Sequence, residues 1–219
     1  AALARQLVRL GFRKGDFMAA SLPFLTGHVL LEYACFRIGV IHVPLDPRLP
    51  GAEVIRCLQA VRPRGYAFPG QTRAADFREL GRAVARQCPF VANLIQYSPP
   101  EELIEGAESY YTLAEGREPS GLDEAFQEMT AAVGENDGAL VIFTTGSTGT
   151  SKPALLSHRN ITCQNYCLGA AFGFGRQTRL LVNLPPSHVG GQTEALMTTL
   201  FCGGTAVLRS AVERLIASQ

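Results

Sequence analysis

The sequence has no excess of positive charge and no long basic run. Its 219 residues contain 20 lysines and arginines against 19 aspartates and glutamates, which leaves a net charge of +1. No run of basic residues is longer than two. A surface that binds nucleic acid needs clustered lysine and arginine side chains to neutralise phosphates. Nucleic acid is therefore not an expected partner.

The sequence also lacks an uninterrupted apolar run of the length that crosses a membrane. Its most apolar long window, residues 28–45, is broken by Glu32 and Arg37, whereas a membrane helix needs about 20 mostly apolar residues. We therefore expect no membrane span. The first residues read as the end of an amphipathic helix and not as a signal peptide. Because no initiator Met precedes them, we expect the sequence to be a fragment of a longer chain.

The cysteines include no Cys-x-x-Cys pair. The six cysteines are spread along the chain and lie mostly in apolar segments. They occupy positions 35, 57, 88, 163, 167 and 202. This distribution favours buried thiols in a reducing compartment over a disulfide framework, and it predicts a cytoplasmic protein. Cys163 and Cys167 share one face of a predicted helix. A metal or redox pair is one interpretation, and a buried helix face is the favoured one.

Short apolar segments alternate with segments of helical periodicity through the first part of the chain. The predicted strands are 16–22, 40–47 and 64–68, and the predicted helices are 3–10, 24–39, 51–61 and 73–87. The strands do not alternate polar and apolar residues, which is typical of parallel strands covered on both faces. The sequence therefore predicts an α/β fold of largely parallel sheets with helices on both faces.

This alternation weakens between residues 98 and 136. Prolines, glycines and acidic residues in this region predict an irregular surface connection with one short helix near 122–133. The pattern then resumes with predicted strands at 138–144, 154–157, 179–184 and 205–208 and predicted helices at 160–171 and 192–201. We expect one partial domain, with sublobes at about 1–97 and 137–219 joined by the connection.

The segment "FTTGSTGTSK", residues 143–152, combines many hydroxyl groups with two glycines and one lysine. Backbone N–H groups, hydroxyls and an ammonium group can together surround a phosphate chain. An ordinary flexible loop is the alternative for any such run. The Walker A pattern does not fit, because Lys152 follows Ser151 and precedes Pro153 and because the segment links two predicted strands. A generic P-loop nucleotide hydrolase is therefore disfavoured.

The order of residues from 143 to 158 resembles the phosphate-binding signature of the adenylate-forming superfamily. This superfamily includes acyl-CoA synthetases, luciferase-like enzymes and the adenylation domains of peptide synthetases. Phe143 matches the aromatic residue of the signature, and Ser157 with His158 matches its terminal pair. Between them, the matched residues are Thr144, Thr145, Gly146, Ser147, Thr148, Gly149 and Lys152. Ser151 and Pro153 depart from the family, which has proline and glycine at these positions.

Two further segments support the resemblance. Residues 34–50, "ACFRIGVIHVPLDPRLP", are similar to a helix-Gly-strand-Pro-Leu-Asp/Asn-Pro segment of the family. Residues 183–208, "NLPPSHVGGQTEALMTTLFCGGTAVL", are similar to a later segment that contains a histidine, a helix and a strand. In this chain, Ser187 replaces the aromatic residue of that segment, and His188 matches its histidine. The chain is thereby identified as the N-terminal portion of the large domain of this fold.

The resemblance implies an AMP-forming acyl-CoA synthetase. In that reaction a carboxylate attacks the α-phosphate of ATP, pyrophosphate leaves, and coenzyme A then takes the acyl group, with Mg²⁺ assisting. The resemblance assigns Lys152 and His188 as catalytic residues, His188 at the border of the acyl pocket. It assigns phosphate contact to Thr144, Thr145, Gly146, Ser147, Thr148, Gly149 and Lys152. No metal-ligating residue is expected.

The substrate implied by the resemblance is a fatty or aryl acid, because "PPSHVGG" has no acid where peptide-synthetase domains carry an aspartate for an α-ammonium group. The implied partners are thus a carboxylic acid, ATP and coenzyme A, and the implied process is fatty acid metabolism. The family's later adenine, ribose and C-terminal lysine segments are absent, so we expect this chain alone to be inactive. The rival interpretation is a non-catalytic binding or scaffold module, of which Ser151, Pro153 and Ser187 would be signs.

Three smaller features carry predictions of their own. Ser157 is expected to cap the helix that follows it, and a nucleophile–base role with His158 is the less favoured alternative. Asp46 lies between prolines and is expected to form a turn and not to act as an acid. Gly190 and Gly191 are expected either to let a helix N-terminus approach the pocket or to make a tight turn.

Overall fold

The computed structural model describes residues 1–72, 75–116, 121–144 and 151–208. Nine strands are present in these ranges: β1 (Phe17–Ala20), β2 (Ile41–Pro44), β3 (Gly65–Pro69), β4 (Asn93–Tyr97), β5 (Ala107–Ser109), β6 (Gly138–Thr144), β7 (Lys152–Ser157), β8 (Arg179–Val182) and β9 (Thr205–Leu208). The first seven form one sheet in the order β5-β4-β3-β1-β2-β6-β7, and the last two form a second sheet. All neighbours are parallel except β6 and β7, which are antiparallel.

Helices connect the strands and cover the large sheet. They are α1 (Ala2–Arg9), α2 (Thr26–Arg37), α3 (Gly51–Val61), α4 (Arg78–Gln87), α5 (Tyr110–Glu115), α6 (Asp123–Ala131), α7 (His158–Phe172) and α8 (Thr198–Phe201). A short 3₁₀ turn spans Pro100–Glu102. A π-helical segment, Gly190–Met197, runs directly into α8. The predicted α/β class, with mostly parallel strands, is confirmed.

Successive residues of β1 point to opposite sides of the sheet, and each side has its own core. Met18 and Ala20 pack with residues of α1 and α2, whereas Ala19 packs with residues of α3. The same alternation occurs in β3, where Ala67 joins the first core and Tyr66 joins the second. Both faces of the sheet are therefore covered by helices, which explains why its strands read as continuous apolar runs.

The end of α2 places β2 in the sheet. Gly39 adopts a left-handed conformation with φ of +71°, its N–H donates to the carbonyl of Phe36, and the N–H of Val40 donates to that of Cys35. These two bonds form the Schellman motif that glycine favours at helix ends. The helix therefore stops at Arg37, two residues before the predicted end.

The region 98–136 is more regular than the sequence predicted. It contains β5, α5 and the 3₁₀ turn in addition to the expected helix, here α6. The preceding strand β4 was also not predicted, because Gln96 interrupts its apolar pattern. Gln96 is buried, and its amide donates to the Ser98 hydroxyl and the Glu102 carbonyl and accepts from the Ile104 N–H. Residues of the 98–136 connection thus provide the hydrogen-bond partners of the buried Gln96 amide.

Helix α4 begins at Arg78, five residues later than predicted. Asp76 accounts for the late start, because its carboxylate accepts a hydrogen bond from the Arg78 N–H and also pairs with the Arg78 guanidinium. Asp76 also bridges to Gln71 in an antiparallel arrangement, which holds the chain outside the helix. Strands from both expected sublobes lie in the large sheet, and the sublobe boundaries themselves remain predictions.

Gly81 allows α4 to lie close to β3, so Gly81→Ala is expected to destabilise the protein. A Cβ atom at Gly81 would lie 2.5 Å from two ring carbons of the fully buried Phe68. Overpacking of this kind costs about 1–3 kcal/mol, which outweighs the helix gain of up to about 1 kcal/mol from alanine. Urea unfolding measures the loss. The penalty should shrink in a Phe68→Leu background, and an equal penalty there would contradict the explanation.

Candidate functional site

The segment 143–152 lies across the turn between β6 and β7. These strands form an antiparallel hairpin in which Thr144 is the register partner of Lys152. The Thr144 hydroxyl donates to the Lys152 carbonyl over 3.3 Å. The candidate residues Thr145, Gly146, Ser147, Thr148 and Gly149 lie outside the described residues. The structure therefore brings Thr144 and Lys152 together at the two ends of the glycine-rich segment.

The Lys152 side chain is exposed at the start of β7. Within the described ranges it forms no ion pair. Its partner strand β6 is buried over Ala139 to Ile142 and becomes exposed only at Thr144. The buried strand β6 therefore leads directly into the glycine-rich segment. The Thr144 hydroxyl and the Lys152 ammonium group lie at the two ends of that segment. Such a pair is suited to an anionic ligand such as a phosphate.

Pro153 is compatible with this hairpin although it departs from the family signature. It belongs to β7, which is the last strand of the described sheet, and pairs with Phe143. Proline lacks a backbone N–H and is tolerated on edge strands, because the missing donor there can face solvent. The substitution thus leaves the strand pairing on both sides of the turn intact.

Ser157 joins β7 to α7 as the predicted cap. Its hydroxyl accepts from the Asn160 N–H over 3.1 Å, and the Asn160 side chain accepts from the Ser157 N–H over 3.0 Å. This reciprocal pair is a capping box and confirms the prediction. The adjacent His158 lies edge-on to Phe36, and burial lowers the pKa of its imidazole. No contact joins the Ser157 hydroxyl to the His158 ring among the described residues.

Ser157→Ala is therefore expected to destabilise the protein by about 1 kcal/mol, the usual contribution of a capping side chain. Thermal or urea unfolding measures the change. Ser157→Asp should retain most of the stability, because aspartate also accepts from helix N–H groups. A loss in the aspartate variant equal to that in the alanine variant would show that the capping hydrogen bond is not the cause.

His188 follows β8 and stands just before the π-helical segment. Its side chain is exposed, and its Nδ1 accepts from the Gly190 N–H over 3.0 Å. Because Nδ1 is an acceptor, the proton of the neutral ring is on Nε2. Solvent reaches the exposed ring. The Nε2–H group is oriented away from the backbone bond and can donate to an anionic ligand.

Gly191 enables the close approach of this segment to the preceding prolines. A Cβ atom at Gly191 would lie 2.6 Å from the carbonyl oxygen of Pro185. The N–H groups of Gly191 and Gln192 both donate to the His188 carbonyl. The two glycines thus form the tight start of the helix that follows His188.

The structure does not join all candidate residues in one cavity. No described contact connects His188 with Thr144 or Lys152. A cleft of about 160 Å³ lies where the chain leaves β1, β2 and β8, lined by Phe24, Asp46 and Leu184 among others. It is smaller than the roughly 300–1,000 Å³ of typical ligand pockets. Asp46 there accepts from the Arg48 N–H and guanidinium, which confirms its predicted role in a turn.

A larger open groove of about 970 Å³ runs between α2, α7 and α8. Its lining is mostly apolar and includes Leu30, Tyr33 and Phe201. His158 also lines it, but Thr144, Lys152 and His188 do not. Its size alone therefore does not make it the site, because neither Lys152 nor His188 lines it.

The cysteines are free of disulfides, as predicted, but only Cys35, Cys57 and Cys88 are buried. Cys163 and Cys167 are exposed, so the predicted buried face is wrong. The buried residues of α7 include Ile161 and Asn165, which form a different face of the helix. The described residues contain no group of three metal-ligating side chains. No helix in them has the length and apolar character to cross a membrane.

Sequence reasoning missed a buried histidine pair. His28 of α2 and His42 of β2 are fully buried, and their Nε2 atoms lie 2.9 Å apart. His28 Nδ1 lies 3.1 Å from the carbonyl of Pro23 and therefore carries the proton. His42 must then donate through Nε2, which leaves its Nδ1 without a partner. Burial lowers the pKa of His28 to about 4 and that of His42 well below its usual range.

Stability should consequently fall as the pH drops from about 6.5 towards 4. Over this interval His28 and His42 are protonated in the unfolded chain but remain neutral in the folded protein. The free energy of unfolding therefore decreases with decreasing pH. The expected loss is a few kcal/mol, since one unit of pKa shift is worth about 1.4 kcal/mol. Urea unfolding at several pH values measures it. The slope should become smaller in His42→Phe, and an unchanged slope would contradict the assignment.

Comparison with known proteins gives matches along nearly the whole chain. The sequence profile described as AMP-binding enzyme matches residues 1–218. The chain is 23% identical over 231 residues to the mitochondrial medium-chain acyl-CoA ligase ACSF2 of Rattus norvegicus. It is 30% identical over 218 residues to a feruloyl-CoA synthase of an Amycolatopsis species. These alignments cover 94% and 97% of this chain, respectively.

The fold is similar to that of solved structures as well. ATP-bound MatB from Rhodopseudomonas palustris superposes with a TM-score of 0.77 at 25% identity, over 95% of this chain and 38% of the MatB chain. The chain also spans only 36% of the rat ligase and 38% of the feruloyl-CoA synthase. It therefore corresponds to little more than a third of the length of each of these proteins.

Proposed function

Because this chain belongs to the AMP-binding enzyme family, we propose that it is part of an ATP-dependent carboxylic acid:CoA ligase. The observation that carries the proposal is the β6–β7 hairpin, which presents Thr144 and Lys152 at the two ends of the glycine-rich turn. The ligase and synthase names of the relatives support the same reaction class. The ATP in the MatB structure supports ATP as the nucleotide.

In the first step of this reaction, a carboxylate oxygen of the acid forms a bond to the α-phosphorus of ATP. The bond from that phosphorus to the bridging oxygen breaks, and pyrophosphate leaves with the electron pair. Both reactants are anions, so positive charge and N–H or O–H donors are needed where negative charge accumulates. Lys152 supplies an ammonium group and Thr144 a hydroxyl. We assign both to the β- and γ-phosphates, together with Thr145, Gly146, Ser147, Thr148 and Gly149.

His188 is assigned to the carboxylate end of the acyl substrate. The Gly190 N–H fixes Nδ1 as an acceptor, so Nε2–H is the donor that the ring offers. A donor of this kind can orient a carboxylate for attack and hold the carbonyl oxygen when the thiol of coenzyme A later displaces AMP. The acyl group then forms a thioester, and AMP leaves with the electron pair of the broken bond.

A fatty or aryl acid is the proposed substrate class. The segment around His188 contains no carboxylate that would pair with an α-ammonium group. A buried ammonium without such a partner is costly. The relatives named above act on a medium-chain acyl group and on a feruloyl group, by their names. Fatty acid metabolism and a cytoplasmic location remain predictions from the sequence.

Magnesium has no protein ligand set among the described residues. These residues lack any cluster of three aspartate, glutamate, histidine or cysteine side chains, and Thr144 offers only one hydroxyl at the turn. Magnesium ions in nucleotide sites are often held by phosphate oxygens and one or two carboxylates. We therefore assign no step to Mg²⁺ on residues of this chain.

A non-catalytic binding or scaffold module is the rival proposal. The sequence features that supported this module included the departures from the family signature at Ser151 and Pro153. The structure weakens this support, since Pro153 lies on an edge strand that stays paired with β6. The replacement of an aromatic residue by Ser187 remains as support for the rival. Adenylation activity separates the two proposals directly.

Carboxylate-dependent ATP–pyrophosphate exchange should be detectable for the longest natural polypeptide that contains this sequence. Medium-chain fatty acids and hydroxycinnamic acids are the first substrates to test. The 219-residue chain alone should show no exchange, because it spans little more than a third of its relatives. Robust exchange by the short chain would refute the incomplete-site proposal. ATP binding without exchange by the longer protein, for every acid tested, would favour the scaffold module.

Lys152→Ala in the active polypeptide should lower kcat/KM for ATP by about 100-fold or more, the usual effect of removing one group that stabilises transition-state charge. Lys152→Arg should retain part of the activity, because the charge remains although its geometry differs. Arg159→Ala is the matched control. It removes a nearby exposed cation that pairs with Glu135. Equal losses in the Lys152→Ala and Arg159→Ala variants would refute a specific phosphate contact by Lys152.

A further inference from the structure

The buried carboxyl group of Glu32 links helix α2 with the π-helical segment that follows His188. Glu32 of α2 and Gln192 of the segment are both fully buried. The Gln192 side-chain amide donates to Oε1 of Glu32. The two residues are 160 positions apart in the chain, so this contact ties α2 directly to the start of the helix after His188.

Each of these two side chains also has a buried oxygen without a hydrogen-bond partner among the described residues. These atoms are Oε2 of Glu32 and Oε1 of Gln192. An ionised carboxylate and an amide oxygen are both acceptors only, so neither can satisfy the other. A proton on Oε2 of Glu32 changes this, because the resulting O–H can donate to the amide oxygen. A single proton would then satisfy both unpaired atoms.

The surroundings of Glu32 contain no positive charge that would stabilise its ionised form. Cys35 and Tyr33 are its titratable neighbours on α2, and burial together with Glu32 raises the pKa of both. His28, one turn earlier, and His42 of β2 are buried and resist protonation. All four groups are consequently neutral at pH 7.

Two arginines on the helices that cover this face of the sheet have other partners. Arg5 of α1 pairs with Asp123, and Arg37 of α2 lies over the ring of Phe126. Within the described ranges Glu32 forms no ion pair. An ionised Glu32 would therefore be a buried charge with one hydrogen bond, which is unfavourable unless further partners are present.

We propose that Glu32 is a neutral carboxylic acid that forms a two-hydrogen-bond ring with Gln192, and that this proton holds the helix start behind His188 against α2. Glu32 is thus a positioning residue for His188. The N–H groups of Gly191 and Gln192 donate to the His188 carbonyl, so the side chain of Gln192 and the backbone next to His188 belong to one turn. The inference goes beyond the proposed function, and its test needs no nucleotide.

The proposal implies a pH dependence opposite to that of the histidines. Burial raises the pKa of Glu32 from 4.5 to about 8. Folded Glu32 therefore keeps a proton that the unfolded chain has lost, so its contribution to stability is full below about 4.5 and disappears as the pH rises through about 8. Above about 6.5 the histidines no longer contribute to the slope, and the alkaline interval isolates Glu32.

Glu32→Gln is the matched variant, because a glutamine can form the same two-bond ring with Gln192 but cannot ionise. Below about pH 4.5, where folded and unfolded wild-type chains both keep the proton, its urea midpoint should equal that of the wild-type protein. Between pH 6.5 and 9 the wild-type midpoint should fall relative to that of the variant. A constant difference between the two midpoints over this interval would overturn the proposal. Ionisation of the cysteines that do not neighbour Glu32 affects both proteins equally and cancels in the difference.

Infrared spectroscopy tests the protonation state directly. The wild-type protein at pH 7 should show the C=O stretch of a protonated carboxyl group, and this band should be missing in Glu32→Gln. Retention of the same band in the variant, or its absence from the wild type, would overturn the proposal.

Hydrogen exchange tests the positioning role. After correction for intrinsic base catalysis, the amides of Gly191 and Gln192 should exchange faster above pH 8 in the wild type but not in Glu32→Gln. Amide exchange that is identical in the two proteins would show that the proton does not hold this turn.

A double-mutant cycle checks that the two side chains act on each other. Glu32→Leu and Gln192→Leu should each lower the urea midpoint at pH 6, because each leaves one buried polar group unpaired. The double variant Glu32→Leu/Gln192→Leu should recover most of the loss, since both polar groups are then replaced by apolar ones. Additive losses in the double variant would refute the pair.

Discussion

Burial of the large sheet on both faces is the constraint on which the rest of the molecule depends. Because α1 and α2 cover one face and α3 and α4 the other, the central strands have fixed directions and their ends meet at defined edges. The candidate β6–β7 hairpin depends on these fixed strand positions. Strand β6 is buried between Ala139 and Ile142 and releases the chain only at Thr144. The strands therefore hold Thr144 and Lys152, the two ends of the glycine-rich segment, next to each other.

The same burial explains the unusual electrostatics of the core. Residues on the α2 side of the sheet lie in a medium from which water is excluded, and polar groups there are stable only when they are neutral and hydrogen-bonded. His28 with His42, and Glu32 with Gln192, are two solutions to this requirement. Both pairs include α2, which lies between the large sheet and the helix behind His188. Polar groups in this layer add directionality that apolar contacts lack, because a hydrogen bond fixes which atoms face each other.

The sequence predicted the fold class, the two strands joined by residues 143–152 and the cap at Ser157, since these depend on local patterns: apolar runs, glycine-rich segments and a serine before a helix. The sequence did not predict the features that depend on contacts between distant parts of the chain. Strand β4 was hidden by Gln96, whose amide is satisfied by residues 98–104, and the exposed face of Cys163 and Cys167 depends on which side of α7 packs inward. The pairing of Glu32 with Gln192 joins residues too far apart for any periodicity to reveal. Lys152 was indicated by its place in the glycine-rich segment and by the resemblance to a family, whereas His188 was identified only through that resemblance.

These observations bear on whether the departures at Ser151 and Pro153 mark a loss of function. A proline in a central strand would remove a ladder hydrogen bond and weaken the strand pairing beside the glycine-rich segment. On the edge strand β7, the proline instead restricts the backbone next to Lys152 at no cost to the sheet, because its φ is fixed near −65°. The stiffening residue has moved from one side of the lysine to the other, and the hairpin that carries the lysine is maintained.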